Sequence, residues 1–380
     1  MIERADYAVI GGGPAGASAA RRLAAAGASV LLFERRPMPR PKPCGGALSA
    51  RGLAHLDFRL PDSLIDGEVF GVRAHVGERS VEARLDRRIA VLVTRARFDQ
   101  FLVSKAEEAG ARVLWQRVTA VETHPGEIVL ATPEGRFAVT CAVACEGANA
   151  RFGAAVAAPV DRLFCMAADV PVARPDAQAE QGGLLDIYHG AAEWGWGWVF
   201  HHGPYASVGL AGAASAVRRP RETLRRFAYR RGLSLDGAGV RGHFIPCGGV
   251  RGTRCADRLL VAGDAAGLAD PFTGEGIARA IRSGQLAAEA VLGADARRGF
   301  SAASLAVYDR RCRQAFGSAL RGARLLVRVV RRWPSVLVRA GTSDLDVLRR
   351  YLRIQTGEGT YRAFLGWFVP RALGRWVRRG

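Results

Sequence analysis

The stretch DYAVIGGGPAGASAARRLAAAGASVLLFE, residues 6–34, predicts a strand, a glycine turn, a helix and a second strand. Gly11, Gly13 and Gly16 have the GxGxxG spacing: the first permits a tight turn, the second lets a pyrophosphate approach the helix N-terminus, and the third lets helix and strand pack closely. Glu34 ends the second strand, where a carboxylate accepts hydrogen bonds from ribose hydroxyls. The stretch therefore predicts a dinucleotide-binding βαβ unit.

The composition is that of a globular chain with a strongly basic end. The protein has 380 residues, of which 49% are hydrophobic, and a formal net charge of +20. The length predicts two or three lobes. From residue 301 onward there are 17 arginines against four acidic residues. No RRM, zinc-finger or helix-turn-helix pattern accompanies this charge, so nucleic acid is not an expected partner.

The termini and cysteines favour a cytoplasmic protein. No run of about 18 apolar residues is long enough to span a bilayer, and the N-terminus lacks signal-peptide features. The seven cysteines are thinly spread, which argues against a disulfide framework. Cys141 and Cys145 lie four residues apart on a predicted strand, and we expect buried structural thiols there rather than metal ligands.

Further elements follow from the pattern of apolar and turn residues. Residues 55–92 and 160–250 predict antiparallel strands, and residues 94–111 predict a helix. Hairpin turns are expected at Pro125-Gly126 and at residues 133–135, within a β-meander. From about residue 301 the chain is predicted to be helical, with breaks at Pro334, at Gly357 to Gly359 and at Pro370.

A second motif, LLVAGDAAGLADPFTGEGI at residues 259–277, separates FAD from NAD as the cofactor. A buried strand leads to Asp264, whose carboxylate suits polyol hydroxyls such as the ribityl chain. A helix is expected to begin near Gly274-Glu275-Gly276, and its positive end suits the N1/O2 edge of a reduced flavin. The two binding motifs lie more than two hundred residues apart in the sequence. Together they predict a large cofactor with a pyrophosphate at one site and a flavin ring at the other, namely FAD.

Four motifs together resemble the geranylgeranyl reductase family of FAD-dependent oxidoreductases, within the group built like p-hydroxybenzoate hydroxylase. They are GGGPAG (11–16), KPCGG (42–46), WGWGWVF (194–200) and GDAAGLADPFTGEGI (263–277). The resemblance runs from residue 1 to about residue 300. It implies reduction of carbon–carbon double bonds in isoprenoid chains carried by archaeal-type lipids, tetrapyrroles, menaquinone or a free diphosphate.

The resemblance also implies the residues that contact FAD. Arg95 is expected near the cofactor phosphates, Val118 near adenine, and the segment that begins at Cys44 beside the isoalloxazine. The complete set of expected cofactor contacts is Gly11, Gly13, Pro14, Ala15, Gly16, Glu34, Arg35, Cys44, Gly45, Gly46, Ala47, Arg95, Val118, Gly147, Gly263, Asp264, Pro271, Gly274, Glu275, Gly276 and Ile277.

The sequence departs from the family pattern around the aromatic motif, usually Tyr-x-Trp-x-Phe-Pro. Trp196 stands in place of the tyrosine, and His201 in place of the proline. Glu193 replaces a proline often found just upstream. The Asp-Gly pair common in the superfamily is Glu146-Gly147 here.

Aromatic residues predict an apolar tunnel for a chain without polar handles. The expected substrate contacts are Cys44, Gly45, Trp194, Trp196, Trp198 and Phe200. Alternation of tryptophan with glycine places the three tryptophans on one face of a strand. Packing of a sheet against a helix is the alternative interpretation of the same pattern.

Two side chains are candidate catalytic residues. Cys44, between Pro43 and two glycines, is expected to form a wall above the flavin and to contribute to proton delivery or substrate placement; its alternative is a small hydrophobic residue in a loop. Tyr188 is a second candidate proton donor, or else a tyrosine on a strand face. His189, His201 and His202 are expected at surface or turn positions.

The C-terminal region predicts a membrane-facing surface. Arg321, Arg324, Arg328 and Arg331 recur at helical spacing with leucine and valine between them, as in a basic amphipathic helix. Residues 361–379 repeat the theme with aromatic residues at Phe364, Trp367, Phe368 and Trp376. The alternative is a helix packed on the core with a solvated basic face.

The sequence thus predicts an α/β protein: a Rossmann-type FAD-binding domain interleaved with an antiparallel-sheet substrate domain, plus a helical C-terminal region. The expected boundaries are 1–54, 89–158 and 252–300 for the FAD-binding domain; 55–88 and 159–251 for the substrate domain; and 301–380 for the basic region.

The expected activity is saturation of a polyprenyl chain by hydride from reduced flavin N5 plus a proton. NAD(P)H is the expected transient electron donor, although there is no second GxGxxG motif. The expected state is a monomer at an anionic membrane surface. The rival functions are a flavin-dependent monooxygenase or halogenase and a flavoprotein that passes electrons to a quinone.

Overall fold

The structure is a computed structural model that describes residues 2–157, 160–172, 183–249, 252–294, 299–333 and 344–377. The strands in chain order are β1 (Ile2–Ile10), β2 (Val30–Phe33), β3 (Ala47–Ser49), β4 (Gly67–Val69), β5 (Gly71–Val76), β6 (Arg79–Arg84), β7 (Ala90–Leu92), β8 (Arg112–Leu114), β9 (Ala120–Thr123), β10 (Ile128–Thr132), β11 (Gly135–Ala144), β12 (Asp161–Pro171), β13 (Leu184–His189), β14 (Gly195–His201), β15 (Tyr205–Ala213), β16 (Arg241–Cys247), β17 (Cys255–Ala256) and β18 (Leu259–Val261). The helices are α1 (Pro14–Ala25), α2 (Ala50–Ala54), α3 (Arg95–Glu108), α4 (Pro220–Tyr229), α5 (Ile277–Leu292), α6 (Ala302–Arg332), α7 (Leu345–Thr356) and α8 (Tyr361–Val377).

The chain forms two compact units, each discontinuous in sequence. The first comprises Met1–Pro41, Ala96–Asp161 and Ile245–Leu320, and the second comprises Lys42–Arg95, Arg162–Phe244 and Arg321–Gly380. The predicted class, a Rossmann-type α/β part interleaved with an antiparallel part and followed by helices, is confirmed. The finer domain boundaries drawn from the sequence stay a prediction.

The first unit is built on a sheet with the strand order β17-β18-β11-β1-β2-β8. The pairs β18–β11, β11–β1, β1–β2 and β2–β8 are parallel, and β9–β10–β11 form the predicted antiparallel meander. Every residue of β2 is buried, as expected for a strand covered on both faces. Because these strands are parallel, Gly11, Glu34, Cys145 and Gly263 follow strand ends at one edge, where ligands bind in open α/β sheets.

Helices α1 and α5 cover this sheet and pack on each other through small residues. A Cβ added at Gly284 would lie 2.0 Å from the carbonyl oxygen of Ala15, and one at Gly263 would lie 2.9 Å from the Ala15 Cβ. Only glycine permits so close an approach of two backbones. The contact holds the N-terminal half of α1 beside the turn that follows β18.

The second unit contains a sheet with the order β16-β12-β15-β14-β13-β5-β6 and a smaller antiparallel sheet, β3-β7-β4. On one face of the larger sheet, Val199 and Leu210 pack with Leu224 and Phe227 of α4 in an apolar cluster. The opposite face of β14 and β15 carries Trp196, Trp198, Phe200 and Ser207, because side chains alternate along each strand.

Of the predicted breaks in the C-terminal helices, one is corrected and one is confirmed. Pro370 does not break the chain, because it lies inside α8. The buried side chains of Phe364, Leu365 and Phe368 hold this helix by packing, and packing offsets the one backbone hydrogen bond that a proline removes. The predicted break at Gly357 to Gly359 is confirmed, since α7 ends at a left-handed Gly357. Pro334 lies outside the described residues.

Candidate active site

The glycine turn after β1 is fixed by steric demands. Gly11 has φ +109°, and a Cβ there would lie 2.3 Å from the carbonyl oxygen of Cys145. A Cβ at Gly16 would lie 1.8 Å from the Gly11 carbonyl oxygen, so the close packing expected of this position is present. Pro14 is the first residue of α1, and Gly13 is its N-cap without a side-chain cap. The N-terminus of α1 is therefore open to an anionic ligand.

Glu34 is a buried carboxylate beside this turn. Its Oε2 accepts hydrogen bonds from the Gly12 N–H at 2.9 Å and from Arg40 Nη2 at 3.3 Å, and its Oε1 accepts from the Arg36 N–H at 3.2 Å. The other side of the Arg40 guanidinium pairs with the buried Asp99 at 3.7 Å. A carboxylate offers about four lone-pair positions, so Glu34 keeps capacity for a ribose hydroxyl.

The surroundings of Arg40 fit the AMP half of FAD. Its Nε is buried without a hydrogen-bond partner among the described residues. A Cβ on Gly13 would meet only Arg40 within 4 Å, and one on Gly147, which has φ +77°, would meet nothing. An orphaned donor next to open space is typical of a site whose ligand supplies the missing acceptor. Sequence reasoning missed Arg40 because its buried partner Asp99 lies in α3, far along the chain, although Glu34 is only six residues away.

The turn after β18 carries the second expected contact. Gly263, with φ +66°, donates its N–H to Ser283 Oγ at 2.9 Å. Asp264 is half-buried, and its carboxylate has no hydrogen bond or ion pair within the described part of the chain. A Cβ on Gly276 would come within 3.3 Å of Asp264 Oδ1. An unpaired carboxylate near an uncapped helix start suits the hydroxyls of a ribityl chain.

The loop before α5 is held by its own polar contacts. Asp270 Oδ1 accepts the N–H groups of Phe272 and Thr273 at 2.9 and 3.1 Å, and its Oδ2 pairs with Arg279 at 3.0 Å. Glu275 accepts the Ala278 N–H at 3.1 Å and pairs with Arg279 at 2.6 Å. The Glu275 carboxylate, an expected cofactor contact, is thus committed to the first turn of α5.

The remaining expected cofactor contacts belong to the first unit, except for Arg95, which belongs to the second. Ala15, Val118, Pro271 and Ile277 are buried, and Arg35 is exposed. Gly274 has φ +71°, a conformation that favours glycine. Arg95 is the first residue of α3, and its expected contact with the cofactor phosphates stays a prediction.

In the second unit the KPCGG segment is tied to β14 and β15. The Cys44 carbonyl accepts from Ser207 Oγ at 3.2 Å, and the Cys44 sulfur accepts from the Gly46 N–H at 3.4 Å. A Cβ on Gly45 would lie 2.6 Å from Phe200, and one on Gly46 would lie 2.4 Å from the Val93 carbonyl oxygen. The two glycines therefore permit close backbone approach, as the sequence predicts, and Ala47 begins β3.

A buried polar network lies under this segment. His202 Nε2 faces the Gly45 carbonyl oxygen at 3.1 Å, and its Nδ1 faces Asp66 Oδ2 at 2.9 Å. The Thr94 hydroxyl donates to the same Asp66 oxygen at 2.8 Å and lies 2.7 Å from the Tyr205 hydroxyl. His202 does occupy one of the expected positions, the hairpin turn between β14 and β15, where its N–H donates to the Tyr205 carbonyl at 2.8 Å. It is not on the surface, because the residue is only 3% exposed. Its partners lie more than one hundred residues away, so no local pattern indicates them.

The other two histidines differ from each other. His189 is exposed, as expected. His201 lies on the face of β14 opposite His202, and its Nδ1 is buried without a hydrogen-bond partner among the described residues. Burial lowers the pKa of His201, which favours its neutral form.

The aromatic motif is only partly as predicted. Trp198 and Phe200 are buried on the same face of β14 as the half-buried Trp196. Gly209 lies opposite Trp198, and a Cβ there would come 2.1 Å from the indole ring. Trp194 does not share this face: it precedes the strand in a left-handed conformation and is 48% exposed. The turn before Gly195 ends the alternation that the sequence suggested.

Tyr188 is not placed with Cys44. It pairs in register with Gly197, so its side chain lies on the α4 face of the sheet. There it stacks on His75 at 4.1 Å and meets the Phe227 ring edge-on at 5.3 Å. Burial first and Asp186 second raise its pKa. The structure therefore separates this candidate proton donor from Trp198 and Phe200 by the thickness of the sheet.

The cysteines of the described chain are all free, and Cys44 is the one that is not buried. Burial raises the pKa of Cys141 to about 12 and raises that of Cys145 further. These two thiols are thus inert core groups, as expected. No group of three or more potential metal ligands occurs among the residues that the structure describes.

The first unit has the parts of an FAD-binding domain: the glycine turn, the buried acid after β2, and the Gly263-Asp264 turn beside α5. Residues 6–152 match the family model described as FAD dependent oxidoreductase. The protein is therefore an enzyme of that class, and FAD is its cofactor.

Relatives define the family more closely. The digeranylgeranylglycerophospholipid reductase of Methanosphaerula palustris is 30% identical over 343 residues, covering 83% of each chain. The geranylgeranyl diphosphate reductase of Rhodobacter capsulatus is 31% identical over 300 residues, 76% of this chain and 75% of its own. The chain belongs to the geranylgeranyl reductase family, whose members act on carbon–carbon double bonds, with NAD(P)H as the electron source.

Solved structures share the fold. A geranylgeranyl bacteriochlorophyll reductase-like protein from Thermoplasma acidophilum superimposes with a TM-score of 0.80 at 22% identity and covers 99% of both chains. A flavin-dependent brominase superimposes with a TM-score of 0.70 at 18% identity, covering 99% of this chain and 100% of its own. At these identities the likeness concerns the fold and not the reaction.

Proposed function

We propose that the protein is an FAD-dependent reductase that saturates double bonds of a polyprenyl chain. The observation that carries this proposal is the packing of the Cys44–Gly46 segment against Trp198 and Phe200, within a chain whose relatives bear the names of geranylgeranyl reductases. Aromatic side chains on a strand face suit an isoprenoid, which offers apolar surface and no polar handle.

We propose different roles for the residues of the two units: cofactor binding for the first and substrate binding for the second. Glu34 and Arg40 hold the AMP half of FAD, and Asp264 holds the ribityl chain. When bound, reduced FAD supplies a hydride from N5 to one alkene carbon. The other carbon takes up a proton, so that each saturated bond gains two hydrogens. Water exclusion by the aromatic face favours this transfer over side reactions.

Cys44 is the proposed wall residue nearest the reacting bond. It is the one cysteine of the described chain that is not buried, and both its carbonyl and its sulfur are held by hydrogen bonds. We propose that it positions the substrate and contributes to proton delivery. Cys44→Ala tests this: unchanged turnover and an unchanged product pattern would remove the residue from the mechanism. Cys141→Ala, at a buried thiol inside β11, is the control and is expected to leave both unchanged.

A substrate panel tests the proposed substrate class. Anaerobically reduced enzyme is mixed separately with a digeranylgeranyl glycerolipid, geranylgeranyl diphosphate and menaquinone, and products are weighed by mass spectrometry. Saturation of the lipid alone indicates a lipid reductase, and saturation of the diphosphate alone a soluble-substrate enzyme. Menaquinone reduced only at its headgroup would instead support an electron carrier.

We also propose that the second unit docks on an anionic membrane through α6. None of the described helices is long and apolar enough to cross a bilayer. Leu325 on this helix is 48% exposed, and Trp333 directly after its last residue is 38% exposed; Arg328 and Arg331 of the helix are exposed as well. Arg331 lies over the ring of the exposed Trp194 at 5.9 Å, which extends the same surface. Basic side chains beside exposed aromatic and aliphatic groups are typical of interfacial helices.

Contrary to the expectation from the sequence, the aromatic residues of α8 whose side chains are described do not belong to this exposed surface. Phe364 and Phe368 are buried, and Trp367 is half-buried beneath Arg350 and Arg371, which lie 4.4 and 4.7 Å from its ring. The side chain of Trp376 lies outside the described residues. The docking proposal therefore depends on α6 and Trp194.

Vesicle co-sedimentation tests the docking surface. Because each basic residue near an anionic surface contributes about 1 kcal/mol, Arg328→Ala with Arg331→Ala is expected to weaken binding to phosphatidylglycerol vesicles roughly thirtyfold. Arg221→Ala with Arg225→Ala, exposed on α4, is the matched control. Equal loss in both double variants would show that general charge, rather than this surface, drives binding.

A further inference from the structure

His202 has an acceptor on each side of its ring. Nδ1 lies 2.9 Å from the Asp66 carboxylate, and Nε2 lies 3.1 Å from the Gly45 carbonyl oxygen. A backbone carbonyl has no proton to donate, and an ionised carboxylate has none either. Neutral imidazole carries one N–H and satisfies only one of these acceptors, whereas imidazolium carries two and satisfies both.

The site around the ring is built for a charged group. The His202 side chain is 2% exposed and that of Asp66 is 9% exposed, so both are withdrawn from water. Asp66 is fixed in turn, because its N–H donates to the Leu92 carbonyl at 2.8 Å and its carboxylate accepts from Thr94. The Tyr205 ring stacks on the imidazole, with centroids 4.8 Å apart. A buried charge that is paired and hydrogen-bonded in this way is tolerated in a protein interior.

Other ionisable groups near the ring come from β12, β14 and β16. Partial burial raises the pKa of Asp169, and His202, Ser207 and Arg241 oppose that rise. His201, whose pKa is lowered by burial, is the adjacent residue on β14. Asp66 remains the carboxylate in direct contact with the ring.

We propose that His202 is a buried imidazolium that, with Asp66, clamps the Gly45 carbonyl and so positions the Cys44–Gly46 segment. The Gly46 backbone packs closely against the imidazole, since a Cβ on Gly46 would lie 2.7 Å from the ring carbon Cε1. The clamp holds while the ring is protonated and is released when the ring loses its second proton. His202 is thus a positioning residue, and its consequence for catalysis rests on the proposed function.

The reactivity of the Cys44 thiol gives a readout of the clamp without flavin or substrate. The other cysteines are buried, so a mild alkylating reagent reports on Cys44 in the folded protein. His202→Gln and Asp66→Asn are expected to speed alkylation roughly tenfold at about pH 6.5, because the segment loses a charge-assisted hydrogen bond. His124→Gln, on the surface of the first unit, is the matched control and is expected to leave the rate unchanged.

The pH dependence separates a clamp from a merely structural residue. Each alkylation rate is divided by the thiolate fraction of the same protein, taken from its own pH profile, so that the ratio of variant to wild type compares access to the thiol. This ratio is expected to fall towards one as the wild-type ring deprotonates at higher pH. A ratio near one at about pH 6.5, or a ratio that does not change with pH, would overturn the proposal. Asp66→Asn preserves the shape of the side chain, so the test survives if His202→Gln fails to fold.

Nitrogen-15 NMR of histidine-labelled protein tests the protonation directly. The His202 signals, assigned by their loss in His202→Gln or by their shift in Asp66→Asn, are expected to show both ring nitrogens protonated at neutral pH. One unprotonated ring nitrogen would overturn the proposal, as would a proton residing on Asp66. Neither measurement requires alkene saturation. A protein that fails as a reductase can therefore still show the clamp, and a protein that saturates alkenes can still lack it.

Discussion

Gly45 lies where any side chain would collide with the aromatic residues of β14. A Cβ there would be 2.6 Å from Phe200 and 3.1 Å from Trp198 Nε1. Gly45→Ala is therefore expected to lower the free energy of unfolding by about 1–3 kcal/mol and to reduce turnover, because the segment must shift. Gly135→Ala, at a hairpin position with no atom within 4 Å, is the control for urea denaturation. Equal stabilities of the two variants would contradict the packing described for Gly45.

Glu34 offers a second test at the level of a single residue. Glu34→Gln removes the negative charge that faces Arg40 and replaces one of the two acceptor oxygens with an NH2 donor. Loss of a hydrogen bond to a charged group is expected to weaken FAD binding by roughly tenfold to a hundredfold. Flavin fluorescence measures the dissociation constant, and Glu122→Gln, an exposed ion-pair residue, is the control. Unchanged affinity in Glu34→Gln would remove the carboxylate from the binding site.

Sequence reasoning identifies residues whose role depends on neighbours a few positions away in the chain. Gly11 and Gly16 were predictable because tight turns and close helix–strand contacts act over a few residues. His202 and Arg40 were not, because each depends on a carboxylate that only the fold brings near: Asp66 for the first, and Asp99 of α3 for the second. A polar residue next to a motif carries no sequence signal of a partner one hundred residues away.

At the scale of elements, the contact between α1 and α5 fixes the glycine turn relative to the Gly263-Asp264 turn. Gly284→Ala places a Cβ 2.0 Å from the Ala15 carbonyl oxygen, and we expect a loss of about 2–3 kcal/mol in the free energy of unfolding together with weaker FAD binding.

A second glycine inside a helix provides the control. Gly366 in α8 has no atom within 4 Å of an added Cβ, so Gly366→Ala is expected to stabilise the protein by about 0.5–1 kcal/mol through a less flexible unfolded chain. Thermal unfolding of the two variants should therefore move in opposite directions. Two shifts of the same sign would contradict the helix contact as described.

Element types were predictable where apolar periodicity is strong, as in β1, α1 and α3. The errors arise where tertiary packing overrides a local rule. Pro370 remains in a helix because Phe364 and Phe368 are buried, and Trp194 leaves the strand because the turn before Gly195 requires a left-handed residue there. Neither effect is visible in the alternation of residue types alone.

For the whole molecule, the buried thiols predict how stability depends on pH. The pKa of Cys141 is raised by burial from 9.0 to about 12, so the thiol stays neutral in the folded protein while it ionises in the unfolded chain. Its contribution to stability is thus complete below about pH 9 and is lost as the pH rises towards 12. Cys141→Ala is expected to flatten the fall in unfolding free energy between pH 9 and 11 by up to about 1.4 kcal/mol per pH unit. Equal slopes in urea titrations would contradict the assignment.

The fold class and FAD were predictable from the whole sequence because two separated motifs demand one extended cofactor. The identity of the proposed polyprenyl substrate was not, since an apolar face selects for shape and length rather than for a headgroup. The basic amphipathic character of α6 was predictable from the spacing of Arg328 and Arg331, but which aromatic residues are exposed depends on how α8 packs; its docking on a membrane stays a proposal.

An anaerobic single-turnover experiment tests the central claim most directly. Purified protein carrying FAD is reduced with dithionite, freed of excess reductant, and mixed with geranylgeranyl diphosphate or a digeranylgeranyl lipid. We predict reoxidation of the flavin spectrum with one double bond saturated per flavin, seen as a mass gain of two hydrogens. Reoxidation by oxygen with a hydroxylated or halogenated product, and no saturation under any anaerobic condition, would contradict the account.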